Sequence, residues 1–475
     1  MLQCKDIKKI WELKTDFNHR WLEPDYLLNV LGIFHFSSLI KQFNPLKKQG
    51  YKFEYVLSIL LSLPFIDVPN VSSLETYGVS GKKDVFYRLK NNFFIDWRSI
   101  LWLFVSRFTK IMRDKARDNK ETKCLIIDDS LLEKTGKFIE KISRVWDHVS
   151  QRSLLGFKLN LMGYWDGFSF IPIDFSLQRE KGNNKNKPYG LKRKELKKQF
   201  TKKRTKDKAS YERVKEADQT KIETGIKMLK RAIKKGLAVD YLLMDSWFTC
   251  NAFIEVVREV KNQTVHLIGM YKIAKTKFEY KEESYTHSQI RNIAGNQKRN
   301  RKTGFYYKEA VVLLDGEPVK LFFSRKGKRG NWKTFISTNI QLSFIQMIEI
   351  YNIRWTIEVF FRESKQLFGL GKDQANDFDS QIAATTLTML QYILITTRYR
   401  FENYESKGAL FKQAQVEIFN EKLTDRLWVL LIEIINIIVE LFDDIDENKL
   451  MKKILSDEKA YQKIEKLITY SKLAA

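Results

Sequence analysis

Two short apolar runs, each closed by an aspartate, constrain this chain more than any other feature. CLIIDDS ends on Asp128 and Asp129, and LAVDYLLMDSWF reaches Asp245. Short apolar runs bounded by polar residues read as buried strands. A helical pattern, KIETGIKMLKRAIKKG, comes before the second run, and helix-then-strand in this order fits an α/β sheet. After the first run, ISRVWDH, GFKLNLMGYWDG and FSFIPIDFSL show strand-like patterns with Gly-bearing turns, the sign of a meander. Carboxylates at the strand ends of such a sheet meet in the crevice where ligands bind. Adjacent strand residues point to opposite faces, so only one of Asp128 and Asp129 faces that crevice. Asp128 is preferred, with Asp129 left open.

A third carboxylate comes from YNIRWTIEVFFRESK, where Tyr351, Arg354, Glu358 and Lys365 stand at offsets 0, 3, 7 and 14. On one α-helix these offsets fall within an arc of about 60°. A phenol, two cations and a carboxylate then share one face, with Ile353, Ile357, Phe360 and Phe361 turned to the flank beside it. Without other signals, the same spacing describes an amphipathic surface helix.

Charge points to the partner. The 475 residues carry 84 Lys+Arg against 57 Asp+Glu, a net charge of +27. Such an excess suits a polyanion, because each cation near a phosphate releases condensed counterions. Cys4, Cys124 and Cys250 are scattered and odd in number, and the five histidines are scattered too. This argues against a disulfide framework and against zinc chemistry. MLQCKDIKKIWELK lacks an apolar signal core. LWVLLIEIINIIVELF is interrupted by Glu433 and Glu440 and reads as a buried helix rather than a membrane span. A cytoplasmic, nucleoid-associated protein with no membrane partner is expected.

The organisation that follows is a helical DNA-binding region over 1–120, an α/β core over 121–262, a β-rich insertion over 263–342, the Glu helix over 343–378 and a helical C-terminal region over 379–475. Lys82, Lys83, Arg88 and Lys90 interleave with Phe86 and Tyr87, a mixture suited to a DNA backbone. Residues 181–208 hold 13 Lys/Arg and 2 Asp/Glu. The tract looks too polar to pack and reads as a mobile arm that orders on DNA, or as a solvated linker.

Asp128, Asp245 and Glu358 together suggest a metal site. Singly, each aspartate reads as a cap or turn residue. Three converging carboxylates need a cation, and hard Mg²⁺ or Mn²⁺ prefers oxygen ligands. Two such ions can activate a water and stabilise the leaving oxygen of a phosphodiester. Arg354 and Lys365 would hold the phosphates of the strand.

On these residues the chain resembles bacterial insertion-sequence transposases of the DDE class, and within them the insertion-sequence-four family with its Tyr–Arg–Glu–Lys helix. Tyr351, Arg354, Glu358 and Lys365 match Y-x2-R-x3-E-x6-K, with Trp355 after the arginine; IIDDS and LLMDSWF resemble the two aspartate strands. The resemblance covers roughly residues 120–370. It implies a ribonuclease H-like catalytic domain carrying a β-rich insertion, two Mg²⁺ ions on Asp128, Asp245 and Glu358, and cut-and-paste transposition. Water would free a 3′-OH at the element's end, a hairpin would form and reopen, and the 3′-OH would attack target DNA. Tyr351, Arg354 and Lys365 would bind terminal phosphates. Trp332 is the candidate to stack a flipped base, or it is a core residue of the insertion. The partners implied are double-stranded inverted-repeat ends, target DNA and a second copy in a homodimer. A nuclease of the same fold without strand transfer, and an inactive DNA-binding regulator, remain as alternatives.

Overall fold

The computed structural model describes residues 30–46, 50–65, 71–72, 74, 82–115, 121–260, 264–301, 303–401 and 406–415. The expectations for MLQCKDIKKIWELK and for the run LWVLLIEIINIIVELF lie outside them. No helix among the described residues is long and apolar enough to cross a membrane.

The described residues of the N-terminal region are helical: α1 (Phe36–Ile40), α2 (Phe53–Ser62), α3 (Lys83–Lys90) and α4 (Trp97–Lys115). Its basic-aromatic segment differs from expectation. Phe86 and Lys90 are buried, and Lys90 ion-pairs with Asp373. Lys82, Lys83 and Arg88 stay exposed. The apolar face of α3 needs Phe86 and Leu89 inside, and the helical period carries Lys90 in beside them.

The α/β core begins with β1 (Cys124–Glu133), β2 (Ser143–Asp147), β3 (Arg152–Trp165) and β4 (Phe170–Gln178). These pair antiparallel through β3, which takes β1, β2 and β4 as partners, so β1 does not pair with β2 as the expected meander would have it. Next come α5 (Arg193–Lys197), α6 (Ala209–Glu216), α7 (Lys221–Lys234), β5 (Tyr241–Met244), α8 (Asn251–Glu259) and β6 (His266–Tyr271). β5 lies parallel to β1, and β6 parallel to β5. The order β4-β3-β1-β5-β6 is the ribonuclease H-like arrangement. Thr220 and Glu223 start α7 with a reciprocal capping box, which satisfies two otherwise orphaned N–H groups. Gly225 lets α7 press onto the sheet, since a Cβ there would stand 2.6 Å from Ile127 Cδ1 and 2.8 Å from Phe253 Cζ.

The sheet then continues. β7 (Lys277–Tyr280), β8 (Glu283–Thr286), α9 (His287–Ile293), β9 (Lys298–Arg299), β10 (Phe305–Leu314), β11 (Glu317–Lys326) and β12 (Lys333–Ser337) follow. β12 pairs antiparallel with β6, so the β-rich segment extends the core sheet from its β6 edge, and all twelve strands form one sheet. β6 itself lies inside the 263–342 segment read as an insertion.

The chain returns to helices with α10 (Phe344–Asn352), α11 (Trp355–Leu367) and α12 (Phe378–Phe401). α12 is buried almost throughout. Gln391 on it donates to the carbonyls of Leu60 and Leu61, which ties the N-terminal helices to the core.

The cationic tract departs from the sequence reading at its C-terminal end. Arg204 is 3% exposed and bonds Glu140 at 2.7 Å, Asp379 at 3.2 Å and Asp377 at 3.3 Å. Lys202 pairs with Asp377 at 2.8 Å and Asp379 at 2.9 Å. At the other end, Tyr189 C=O accepts from Arg144 N–H at 3.0 Å, and the Arg179 guanidinium lies 3.7 Å from the Tyr189 ring centroid. A polar segment packs here because distant acids neutralise it, which its own composition cannot reveal.

Candidate active site

The parallel pairing of β1 and β5 sets the geometry. Ile127 stands opposite Met244, so Asp128 and Asp245 come next side by side. Asp245 lies just past the end of β5, whereas Asp128 lies inside β1, which runs on to Glu133 and does not end at the aspartates as the sequence suggested. Asp245 also acts as the turn residue it resembles. Its Oδ1 accepts from the N–H groups of Trp247 at 2.9 Å and Phe248 at 3.2 Å. Burial, then the charge of Asp245, push the Asp128 carboxyl up to about 7. A carboxylate so perturbed by burial and a like charge marks a functional-site candidate.

Glu358 joins this pair through Arg354. The guanidinium bonds Asp128 Oδ2 at 3.1 Å and Glu358 Oε1 at 2.5 Å. Asp129 faces elsewhere, as strand alternation requires. Its carboxylate lies 2.7 Å from Lys221 Nζ and 3.7 Å from Lys158 Nζ. Of the two neighbouring aspartates, Asp128 is the one beside Asp245.

The four motif residues do not share one continuous helix. α10 ends at Asn352 and α11 begins at Trp355. Across the junction Arg354, Thr356 and Ile357 donate to carbonyls three residues back, at 3.0, 3.0 and 3.2 Å. These tighter 3₁₀-type bonds shift the register. Tyr351 turns inward: its hydroxyl donates to Met244 C=O at 3.3 Å, and its ring meets Phe335 edge-on at 5.0 Å. Burial pushes this phenol up to about 12, which keeps it protonated as a donor. It braces the end of β5. Lys365 reaches back from the last turn of α11 and donates to Ser130 Oγ at 2.7 Å. Trp332 is half-buried on the insertion, with the Arg325 guanidinium 4.7 Å from its ring centroid.

Two further groups border the site and were not singled out from sequence. Lys221 links α7 to Asp129, and Trp247 lies exposed two residues past Asp245. A tryptophan in the turn just after a strand-end aspartate was the available signal.

Known proteins give the same direction. A family model described as "DDE superfamily endonuclease" matches residues 91–271, and one described as "Archaeal putative transposase ISC1217" matches residues 199–395. The chain is similar to DDE endonucleases and transposases. The first DDE match contains Asp128 and Asp245, and the second contains Asp245 and Glu358. Together they support a transposase-like nuclease. No curated protein matches the chain.

A DDE site implies divalent metal. The donors fit in kind, being carboxylate oxygens around a half-buried, under-compensated Asp128. Their spacing differs: among the described residues no three acidic, His or Cys side chains are gathered closely enough to hold an ion. The Arg354 guanidinium, bonded to both Asp128 and Glu358, holds the positive charge there instead.

Proposed function

We propose that this protein is a DNA transposase of the insertion-sequence-four-like kind, with Asp128, Asp245 and Glu358 as its acidic triad. The adjacency of Asp128 and Asp245 on parallel strands, with Glu358 drawn in by Arg354, carries this reading. The three carboxylates would hold Mg²⁺ or Mn²⁺, two ions in the complete site. Bound there, the metal supplies an activated water and charge stabilisation for the leaving oxygen. Arg354, released from the carboxylates, binds a phosphate of the strand in bidentate fashion. Lys365 holds a second phosphate as a point charge. Tyr351 keeps the end of β5, and with it Asp245, in place. Transposition then follows as end cleavage, a hairpin and strand transfer by a 3′-OH, on paired ends held by two copies in the cytoplasm.

The test uses a labelled duplex carrying the inverted repeat that flanks the coding region, a target plasmid and Mg²⁺. Cleavage followed by joined product is the expected result. Cleavage without joining would leave a nuclease of the same fold. If the wild type bound the duplex but neither bound metal nor cleaved it, the DNA-binding regulator would stand instead.

A further inference from the structure

We propose that Arg354 is a lock on the acidic triad: in the DNA-free protein its guanidinium occupies the carboxylates that a metal needs, and a phosphate of the strand draws it off, so that DNA and metal bind cooperatively. This rests on the reading of the site as a DNA-cleaving centre and deepens it to how that centre is switched on.

The acids are already engaged. Asp128 Oδ2 accepts from Arg354 Nη1 at 3.1 Å, and its Oδ1 accepts from the Asp129 N–H at 2.8 Å. Glu358 Oε1 accepts from Arg354 Nη2 at 2.5 Å. Oδ1 of Asp245 is held by the N–H groups of Trp247 and Phe248. An ion shared by Asp128 and Glu358 therefore competes with a guanidinium that bonds both of them. Hard cations need oxygen contacts at about 2.0–2.6 Å, and a fixed positive charge beside them opposes a divalent ion. The guanidinium sits between two of the three carboxylates, and among the described residues these acids are not gathered closely enough to hold an ion.

The lock is placed where it can open. Arg354 is the residue before α11, at the junction where α10 has ended and 3₁₀-type bonds replace α-helical ones. Its side chain is 14% exposed and that of Glu358 34%, so the pair is reachable from solvent. Side-chain torsions alone can take the fork off the carboxylates. A phosphodiester accepts that fork through two bonds, as a carboxylate does. Moving it to phosphate leaves the acids short of positive charge, which raises their affinity for a divalent ion. Each ligand thus makes room for the other, and linkage requires the two gains to be equal.

Lys365, the other cation of the motif, is placed differently. It donates to the neutral Ser130 Oγ at 2.7 Å and bonds no acid of the triad. It therefore separates a lock from a general effect of positive charge.

The experiment titrates Mn²⁺ into metal-free, DNA-free protein at fixed ionic strength and reads the free ion by electron paramagnetic resonance. Arg354→Ala is expected to bind Mn²⁺ about 5- to 150-fold more tightly than the wild type, the usual span for coupled sites. Arg354→Gln, closer in shape, is run beside it and should gain in the same sense. Thermal unfolding checks that both variants are folded, and Mn²⁺ should stabilise them more than it stabilises the wild type. Adding Glu358→Gln to Arg354→Ala should abolish the gain, and Lys365→Ala should reproduce little of it. With Ca²⁺ added at equal ionic strength, the wild type should bind the inverted-repeat duplex more tightly than in metal-free buffer, and Arg354→Ala should lose much of that enhancement. A Mn²⁺ affinity in the Arg354 variants equal to or below that of the wild type overturns the lock. So does a gain that survives Glu358→Gln, an equal gain in Lys365→Ala, or an undiminished Ca²⁺ enhancement. If the wild type cleaves DNA in Mg²⁺ while that happens, the lock alone fails. If neither the wild type nor Arg354→Ala binds Mn²⁺ and the wild type cleaves nothing, the functional reading fails and the lock with it.

Discussion

Two clusters of opposite charge sit on the central sheet, and they are balanced in opposite ways. Asp174 on β4 is fully buried, yet Arg98, Arg231 and Arg213 outweigh the burial and hold its carboxyl below the usual range. Arg98 bonds it at 3.0 Å and Arg231 at 2.6 Å, with Glu216 completing the set at 2.7 Å from Arg98. Asp128 on β1 is shared between one arginine and a neighbouring aspartate, and it is pushed up to about 7. The first cluster surrounds a fully buried carboxylate with more positive charge than it needs. The second is short of positive charge, and its Asp128 and Glu358 side chains are partly exposed. Self-sufficiency marks a cluster that holds helices to a sheet, and deficit marks one that takes up charge from outside.

The largest effect should come from the Asp174 cluster. Asp174→Asn strands Arg98 and Arg231 among buried neighbours, and breaking a buried pair costs about 3–5 kcal/mol. Urea unfolding should show that loss, with cleavage by the remaining folded protein unchanged. A near-neutral result would mean that water compensates the arginines and that the contrast is false. Asp128→Asn and Glu358→Gln should do the reverse, lowering Mg²⁺-dependent cleavage by on the order of 10²–10³-fold, as expected for an electrostatic group at a reacting centre. Their unfolding midpoints should hold or rise. Retained cleavage in Asp128→Asn would move the first acid to Asp129.

Stability against pH sharpens the comparison further. The folded pKa of Asp128, about 7, lies above its ordinary 3.8. Between those values the folded protein holds a proton that the unfolded chain releases. Asp128 therefore contributes stability at low pH that is lost as pH rises through about 7. Asp174 has the opposite sign, contributing stability above the ordinary aspartate range that is lost in acid. In metal-free buffer, Asp128→Asn should flatten the decline in stability from about pH 4 to 7 and leave the acid limb intact. An unchanged profile would show that Arg354 already neutralises the site.

The parts of this site legible in sequence are those set by local pattern. CLIID and YLLMD announce their strands, and Glu358 lies on a helix whose Ile357, Phe360 and Phe361 turn into the core as their spacing demands. The junction between α10 and α11 was not legible, since neither glycine nor proline marks it. It arises where Tyr351 packs against Phe335 and Met244, contacts made across the sheet. Nor could spacing place Arg354 between two carboxylates, because Asp128 is brought to it by strand pairing. The anchoring of Arg204 by Glu140, Asp377 and Asp379 was hidden for the same reason: its partners come from distant stretches of chain.

That anchoring divides the cationic tract into two kinds of charge, and the smallest predicted effect follows from the division. Lys202 and Arg204 are spent on internal acids, as the arginines around Asp174 are. Lys194 and Lys197 lie exposed on α5, and no acid among the described residues forms an ion pair with either. If such residues meet phosphate, each releases about one counterion on binding. Lys194→Ala and Lys197→Ala should then each reduce the steepness of log K against log salt by about 0.9 for duplex DNA, with unfolding midpoints unchanged. A slope equal to that of the wild type in both variants would take α5 out of the DNA interface. The tract's role would then be the one its Arg204 end already performs, strapping the turn before β2 to the start of α12.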